Sequence, residues 1–252
     1  MTWTLAEIFR HPIKSLGEEA LQSVRLETGR PMPYDRVWAI AHGINDWSEA
    51  APRWATPGNF VNQTHVPKLA QIEASFNEGT GSLTLRHPDR PFLRVQPGTD
   101  AGDAALTEWI APLADLARTG PYRVCEAPGV AFTDFEEAHI SIASTRTRAL
   151  LEQVCGQAFD PIRFRMNLWI DGMDPWSEFD MVGREIEVGA VRFQVIGRCQ
   201  RCNATNASPE NGERDAKIPS ILRRRYGHMD FGVYAQVLSG GEIKLGDYAR
   251  AL

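Results

Sequence analysis

Long apolar runs are missing from this 252-residue chain. No stretch approaches the roughly 18 uninterrupted apolar residues of a membrane-spanning helix. Cysteine is scarce as well: four thiols, Cys125, Cys155, Cys199 and Cys202, do not make a disulfide framework in a chain this long. Any special role for them comes from reactivity or metal ligation. Positive charge is not in excess, with 27 Lys and Arg against 32 Asp and Glu and a net charge of −5. That argues against a nucleic-acid partner, which needs a broad basic face, while leaving room for small basic pockets. Internal repeats and low-complexity linkers are absent too. The first residues, Met1 to Ser15, read as folded strand and not as a charged leader with an apolar core, so the expected address is the cytoplasm, with no membrane partner.

What is present is an ordinary globular composition, 43% apolar and 23% charged. The length allows one large domain or two smaller ones packed together. Short β-branched or aromatic runs with period-2 alternation dominate: 7–10, 22–26, 37–40, 83–86 and 92–95. Bounded by Gly, Pro or Asp, they predict a largely antiparallel N-terminal sheet. The segment from Asp103 to Leu116 places Leu106, Trp109, Ile110, Leu113 and Leu116 at helical spacings after a capping Asp, with Pro112 as a point where the helix breaks or restarts. A strand over 139–142 leads into a helix from Thr145 to Val154, capped by Ser144 and stopped at Gly156. Strands follow over 163–170, 185–188 and 190–196, with a final hairpin pairing 232–238 with 242–245. The fold class is α+β, mainly β: a β-rich domain over residues 1–120 packed on a closed or nearly closed β-barrel over 121–252 with a few helices.

The chemistry concentrates in the run from Gly197 to Gly212, where Cys199 and Cys202 follow an apolar strand and Arg198 and Arg201 interleave with them. Guanidinium groups nearby favour thiolate over thiol, so at least one of the pair is expected to be unusually ionised. A structural zinc site needs four ligands, and no second C-x-x-C or His pair at fitting spacing exists. A thioredoxin-like dithiol needs a helix N-terminus in a βαβ setting that these surroundings do not offer. A metal-ligating or nucleophilic thiol and an incidental, buried pair both remain open. Far upstream, Lys14 and Ser15 sit in a turn after a strand, and Arg36 stands at the entry of another. Together with Arg163, Arg165 and Asn167 they supply the charge, hydroxyl and bidentate fork that an anionic, phosphate-like ligand between the two halves needs.

The pieces HPIKSL, PYDRVW, RFRMNLWIDG, RCQRCNATNASPENG, HMDFGVYAQV and IKLGD, in this order along nearly the whole chain, resemble a MOSC-domain protein with its N-terminal β-barrel partner. That family includes the C-terminal domain of molybdenum cofactor sulfurase and the mitochondrial amidoxime-reducing component. The resemblance implies a MOSC-type barrel and a molybdenum cofactor (Mo-molybdopterin), with the metal ligated by the second cysteine of the pair, here Cys202, which would also be the catalytic residue. By the same matching, Lys14, Ser15, Arg36 and Arg165 fall where the family holds phosphate and pterin. Asn167 and Arg201 line the site, and Ser144 lies near a further cofactor-contacting loop. Pyridoxal phosphate is not implied.

The implied activity is reduction of N-hydroxylated compounds, such as base analogues, by oxygen transfer to molybdenum. Its partners would be a small N-hydroxylated substrate and a separate electron donor, a ferredoxin- or cytochrome-type reductase, because the chain lacks the C-x4-C-x2-C spacing of a fused [2Fe-2S] domain; the missing N-terminal anchor of the mitochondrial members fits the expectation of a soluble, bacterial-type protein. The alternative is a carrier of the cofactor, or of sulfur as a Cys202 persulfide; a chain that kept the fold and lost the metal is a third. Asn62-Gln63-Thr64-His65 replaces a T-x-R pair frequent in relatives, and Met166 replaces a Pro. Asp230 and His228 are candidate proton relays, weighed against a structural role in a turn.

Overall fold

The computed structural model describes residues 3–252. The strand expected from Met1 begins at Trp3; Met1 and Thr2 lie outside the described residues. Strands in chain order are β1 (Trp3–Arg10), β2 (Glu19–Ala20), β3 (Ser23–Leu26), β4 (Trp38–Ala41), β5 (Glu73–Asn77), β6 (Ser82–His87), β7 (Arg90–Val95), β8 (Arg123–Glu126), β9 (Ile140–Ser144), β10 (Leu168–Asp171), β11 (Glu185–Val188), β12 (Val191–Gln200), β13 (Asp230–Ser239), β14 (Gly241–Lys244) and β15 (Tyr248–Ala251). Three helices, α1 (Asp100–Ala114), α2 (Thr145–Cys155) and α3 (Ile218–Tyr226), and several short 3-10 turns complete the described chain.

Seven strands close a barrel in the order β10-β9-β13-β12-β11-β15-β1, with β1 returning to pair β10. The barrel is the expected one, but it is closed by the first strand of the chain. Alternation puts Leu5, Ile8, Ile142, Leu168, Phe193, Val195 and Val233 inside, all buried in one cluster. Each such side chain contributes roughly 1.5–3 kcal/mol through removal from water. Among the paired strands of the described residues, β9 and β10 alone run parallel, and α2 supplies the crossover that a parallel pair requires.

The N-terminal runs do form strands, but not one sheet. β5, β6 and β7 make an antiparallel sheet, and β4 pairs with β8. These elements and α1 pack a second core around Ile40, Leu69, Leu85, Leu106 and Ile110. β3 pairs with β14, so the expected hairpin over 232–245 does not form. Both edges of β13 are already occupied by β12 and β9, and the chain after Ser239 must find another partner. Gly240 makes the swing, because a Cβ there would stand 2.6 Å from the Leu26 carbonyl oxygen.

α2 runs as expected, capped by the Ser144 hydroxyl and stopped by Gly156 in the left-handed region. α1 starts earlier than its apolar spacing suggests. The Thr99 hydroxyl accepts from Gly102 N at 3.1 Å, and the Asp103 carboxylate accepts from Gly98 N at 2.9 Å, so Thr99 and not an Asp is the cap. Pro112 stays inside the helix; it sits in the last turn, where its missing N–H costs one bond without breaking the helix. The strand expected over 163–170 is a 3-10 turn, Pro161–Phe164, followed by Arg165 in the left-handed region, and extended pairing begins only at Leu168.

Gly17 is left-handed at φ +55, and a Cβ there would meet Ala74 Cβ at 2.5 Å and Ala74 N at 2.6 Å. Gly17→Ala adds left-handed strain of roughly 1–2 kcal/mol to overpacking of about 1–3 kcal/mol. Urea unfolding should show a loss of at least about 2 kcal/mol; a loss below about 0.5 kcal/mol would contradict this packing.

Candidate functional site

Three loops converge on one cavity of about 700 Å³ between the two cores. The first follows β1: Lys14 N donates to Trp38 O at 2.8 Å and Leu16 N to Ile13 O at 3.2 Å, a tight turn with Ser15 at φ 66. The second precedes β4, where Arg36 at φ 53 donates its N–H to His11 O at 2.6 Å. The third is the turn before β10, capped by Arg165 at φ 48. Left-handed backbone is unfavourable for side-chain-bearing residues and persists where the surroundings over-determine it, characteristically at functional sites. Three of the five non-glycine residues with positive φ among the described residues line this cavity.

The cations are pre-oriented by backbone oxygens. Lys14 Nζ donates to Phe132 O at 2.7 Å, Arg36 Nη2 to Arg165 O at 2.8 Å, and Arg165 Nη1 to Gly17 O at 2.9 Å. Arg36 also pairs with the buried Asp35 carboxylate, which accepts from His11 N at 2.8 Å. Burial pulls the Lys14 ammonium down to about 8; Asp134 opposes this, and Arg36 and Arg165 add to it. Arg165 is lowered to about 9 by burial and by Arg36 beside it. Among the described residues lining the cavity, five cationic side chains, Lys14, Arg36, Arg165, Arg198 and Arg201, face one carboxylate, Asp134. In a protein of net charge −5, such a concentration makes the cavity locally positive and attractive to anions.

The two cysteines of the pair both line the cavity but differ in exposure. The β12–β13 ladder shifts register between Arg198 and Gln200, a bulge of the kind that re-aims a strand end. Cys199 points inward and is buried, its Sγ accepting from Arg201 Nη1 at 2.6 Å. Burial pushes its thiol up despite the guanidinium, so Cys199 is not the member of the pair that neighbouring arginines ionise. Cys202 leaves the strand, caps the 3-10 turn Asn203–Asn206 and is exposed on the cavity rim. Its Sγ lies 3.2 Å from Thr64 Oγ1, and the Thr64 carbonyl in turn accepts from Arg214 Nη2 at 2.6 Å.

The cavity brings together Lys14, Ser15, Arg36, Arg165, Asn167, Arg201 and Cys202 from distant parts of the sequence. It does not include Ser144, whose hydroxyl caps α2 and donates to Met173 O at 3.2 Å. Asn167 lines the cavity, but its amide is spent on protein: Oδ1 accepts from Ser141 Oγ at 2.9 Å, and Nδ2 donates to Phe9 O at 3.2 Å. His228 packs among aromatic rings and accepts from Asp230 N at 3.1 Å; His228 lies in the bend before β13 and Asp230 at its first position, both outside the residues that line the cavity. The zinc reading finds no ligand set among the described residues.

Asp134, His139 and Tyr234 also line the cavity, and the sequence assigned none of them a role; Thr64 stood out only as part of the Asn62–His65 departure. Tyr234 Oη donates to Asp134 Oδ2 at 2.8 Å. Burial raises the Tyr234 phenol. Burial alone would raise Asp134 as well, but Lys14, Tyr234 and Arg201 hold it below the ordinary carboxylate range. His139 stacks on Phe135 with ring centroids 3.9 Å apart, and its Nδ1 lies 2.7 Å from Glu137 O. Tyr234 lies in an alternating barrel strand where a pocket residue and a core residue look alike, and Asp134 in a loop without regular pattern.

The sequence matches the MOSC N-terminal beta barrel domain over residues 2–112 and the MOSC domain over residues 114–250. It is similar to the molybdenum cofactor sulfurase of Drosophila yakuba, 36% identical over 91% of this chain and 31% of that protein. It is also similar to that of Oryza sativa subsp. japonica, 24% identical over 94% of this chain and 33% of that protein. The chain thus spans about a third of the length of the curated relatives it matches. A solved structure, the YUAD protein from Bacillus subtilis, aligns over 99% of this chain and 94% of its own with 12% identity and a TM-score of 0.46. No helix among the described residues is long and apolar enough to cross a membrane.

The ordinary lysine value is 10.5, and Lys14 is lowered to about 8 in the fold. Between these values the unfolded chain binds a proton that the folded one does not, so stability rises with pH in that window, by at most about 1.4 kcal/mol per unit. In ligand-free protein, urea unfolding at about pH 7.5 and 9.5 should show this rise in the wild type and a smaller one in Lys14→Met. Identical pH dependence in both would mean that Lys14 is not desolvated.

Proposed function

This chain belongs to the MOSC family, with the MOSC N-terminal beta barrel domain preceding the MOSC domain, and from that premise we propose that it is a molybdenum-cofactor-binding oxidoreductase reducing N-hydroxylated compounds. The observation that carries the reading is the exposed Cys202 thiol on the rim of a cavity where five cations face one carboxylate. An organic ligand with a phosphate at one end and a soft metal at the other matches that polarity, because thiolates suit soft metals and guanidinium forks suit phosphate. The donor set fits in a further respect: Arg201 keeps its Nε buried without a partner, a donor left over for a ligand. The names of the relatives, molybdenum cofactor sulfurases, point to the same cofactor.

In this reading Lys14, Arg36 and Arg165 hold the phosphate, Ser15 offers a hydroxyl, and Arg201 and Asn167 wall the pterin. Cys202 ligates the metal, and Thr64 orients its sulfur. When bound, the cofactor supplies two-electron chemistry toward the oxygen of an N–O bond. Reduction of N–OH to N–H also takes up two protons and releases water. The Tyr234 hydroxyl, bonded to Asp134, holds a proton on the wall of the same cavity. Electrons would come from a separate ferredoxin- or cytochrome-type donor, in the cytoplasm. A persulfide carrier would use Cys202 but has no need of the phosphate set.

Molybdenum and pterin content after expression in a cofactor-competent host tests the reading. Near-stoichiometric metal should be lost in Cys202→Ala and retained in Cys199→Ala. Arg165→Gln, which removes a charge-assisted bond worth about 1.5–3 kcal/mol, should lower pterin affinity about tenfold or more. Absence of molybdenum together with sulfane sulfur on Cys202 would replace the oxidoreductase by the sulfur carrier.

A further inference from the structure

The turn Asn62–His65 enters the assignment above only through Thr64. It is closed on itself, with His65 N and Val66 N donating to Asn62 O at 3.1 and 3.0 Å. Asn62 is buried, and its Nδ2 donates to Phe60 O at 2.9 Å and to Pro57 O at 3.3 Å. That fixes the amide so that Oδ1 is left as an acceptor, and His65 Nδ1 lies 2.9 Å from Asn62 Oδ1. An amide oxygen cannot donate, so the proton of this contact sits on Nδ1, and the neutral ring offers the lone pair of Nε2. Nε2 has no hydrogen-bond partner among the described residues.

His65 is exposed and lines the main cavity. The preceding residue, Thr64, approaches Cys202 Sγ to 3.2 Å, and neighbouring Cα atoms stand about 3.8 Å apart, so the imidazole belongs to the same stretch of rim as the thiol. Other polar groups of the wall are committed elsewhere. The guanidinium groups only donate, Lys14 Nζ is bonded to Phe132 O, Asp134 accepts from Tyr234, and His139 is buried and stacked on Phe135. Burial lowers His65 below the ordinary histidine value, and Arg118, His42 and Arg214 add to this, so the ring is neutral at neutral pH. A neutral histidine held at one nitrogen by a fixed acceptor, with the other nitrogen open to a cavity, is arranged as a general base.

We propose that His65 is a catalytic residue of the reductase reaction: its Nε2 takes the proton of a substrate N–OH bound beside Cys202 and passes it to the substrate nitrogen as the N–O bond breaks. Asn62 is the positioning residue that fixes the ring. This role rests on the reductase reading above. An amine nitrogen departs poorly as an anion, so a proton must reach it as it loses oxygen. The overall balance is R–NH–OH with two electrons and two protons giving R–NH2 and water. The new N–H bond is made with the substrate's own hydroxyl proton, and the oxygen ends as water with two further protons and the two electrons of the separate donor.

Expressed in a cofactor-competent host, His65→Gln should carry as much molybdenum as the wild type, because no residue assigned to metal or phosphate is changed. With N-hydroxyadenine as substrate and reduced methyl viologen as electron donor, kcat should fall about a hundredfold or more in the variant, the usual contribution of general acid–base catalysis. The acid limb of the wild-type pH profile, lying below the ordinary histidine value of 6.5, should be lost with it, and added imidazole should restore turnover to His65→Ala saturably. In cofactor-free protein, nitrogen-15 NMR should show His65 as the Nδ1–H tautomer, and as both tautomers in Asn62→Ala. The role is overturned by a molybdenum-loaded His65→Gln whose kcat stays within about threefold of the wild type, by an acid limb that persists in it, or by an Nε2–H tautomer in the wild type. A wild type without molybdenum would instead remove the reductase reading, and this role with it.

Discussion

The Asp35 carboxylate is the constraint on which the main cavity rests. It is buried, accepts from His11 N at 2.8 Å, touches the His11 ring at 3.1 Å and pairs with Arg36. Desolvation alone would raise its pKa, but the Arg36 guanidinium and the His11 contacts win, holding the carboxyl well below its ordinary range. The ion is therefore retained in the fold, and two loops separated in sequence are tied at one atom group. Without it, Arg36 would lose the fully buried carboxylate it pairs with while still standing beside Arg165 and Lys14, a costlier arrangement than a paired one. His11 is kept neutral by burial and by the same arginines, so no further charge enters the cluster.

The backbone carries the other half of that organisation. Ser15, Arg36 and Arg165 all adopt left-handed φ, and each does so while its own or its neighbour's backbone is bonded across loops: Ser15 O to Gln63 Nε2, Arg36 N to His11 O, Arg165 O to Arg36 Nη2. Local strain is thus held by long-range bonds. The barrel supplies the rigid side of the cavity through β12 and β13, and the second core supplies the other. Thr64 and Cys202, 138 positions apart, meet where the two sides approach.

Much of the architecture was legible in the chain. α2 was announced by Ser144 and Gly156 at its ends, because caps are local chemistry. Strands β6, β11 and β12 stood out through alternation, because one face of each is buried, while β4, buried throughout, and β7, with no buried position, were found by their β-branched and aromatic residues. What misled was pattern without pairing. The run from Arg163 to Ile170 looked extended, yet Asp160 caps a 3-10 turn there, and Arg163 is drawn to Asp215 at 2.7 Å. The last hairpin looked natural until the barrel took both edges of β13.

For the cavity, composition and motif order located the cationic residues and the Cys199–Cys202 pair, because charged groups inside apolar surroundings are conspicuous in any sequence. The sequence by itself therefore determined the residue types, the strand-rich class and the family. Only the tertiary structure decided that Cys199 is buried while Cys202 meets Thr64, that Ser144, the cap of α2, stays out of the cavity wall, and that Asp134 and Tyr234 share a hydrogen bond on the same cavity wall as Lys14. Those outcomes depend on where a bulge re-aims β12 and on which loops burial presses together. Distances between residues a hundred positions apart follow from packing, and no local pattern encodes them.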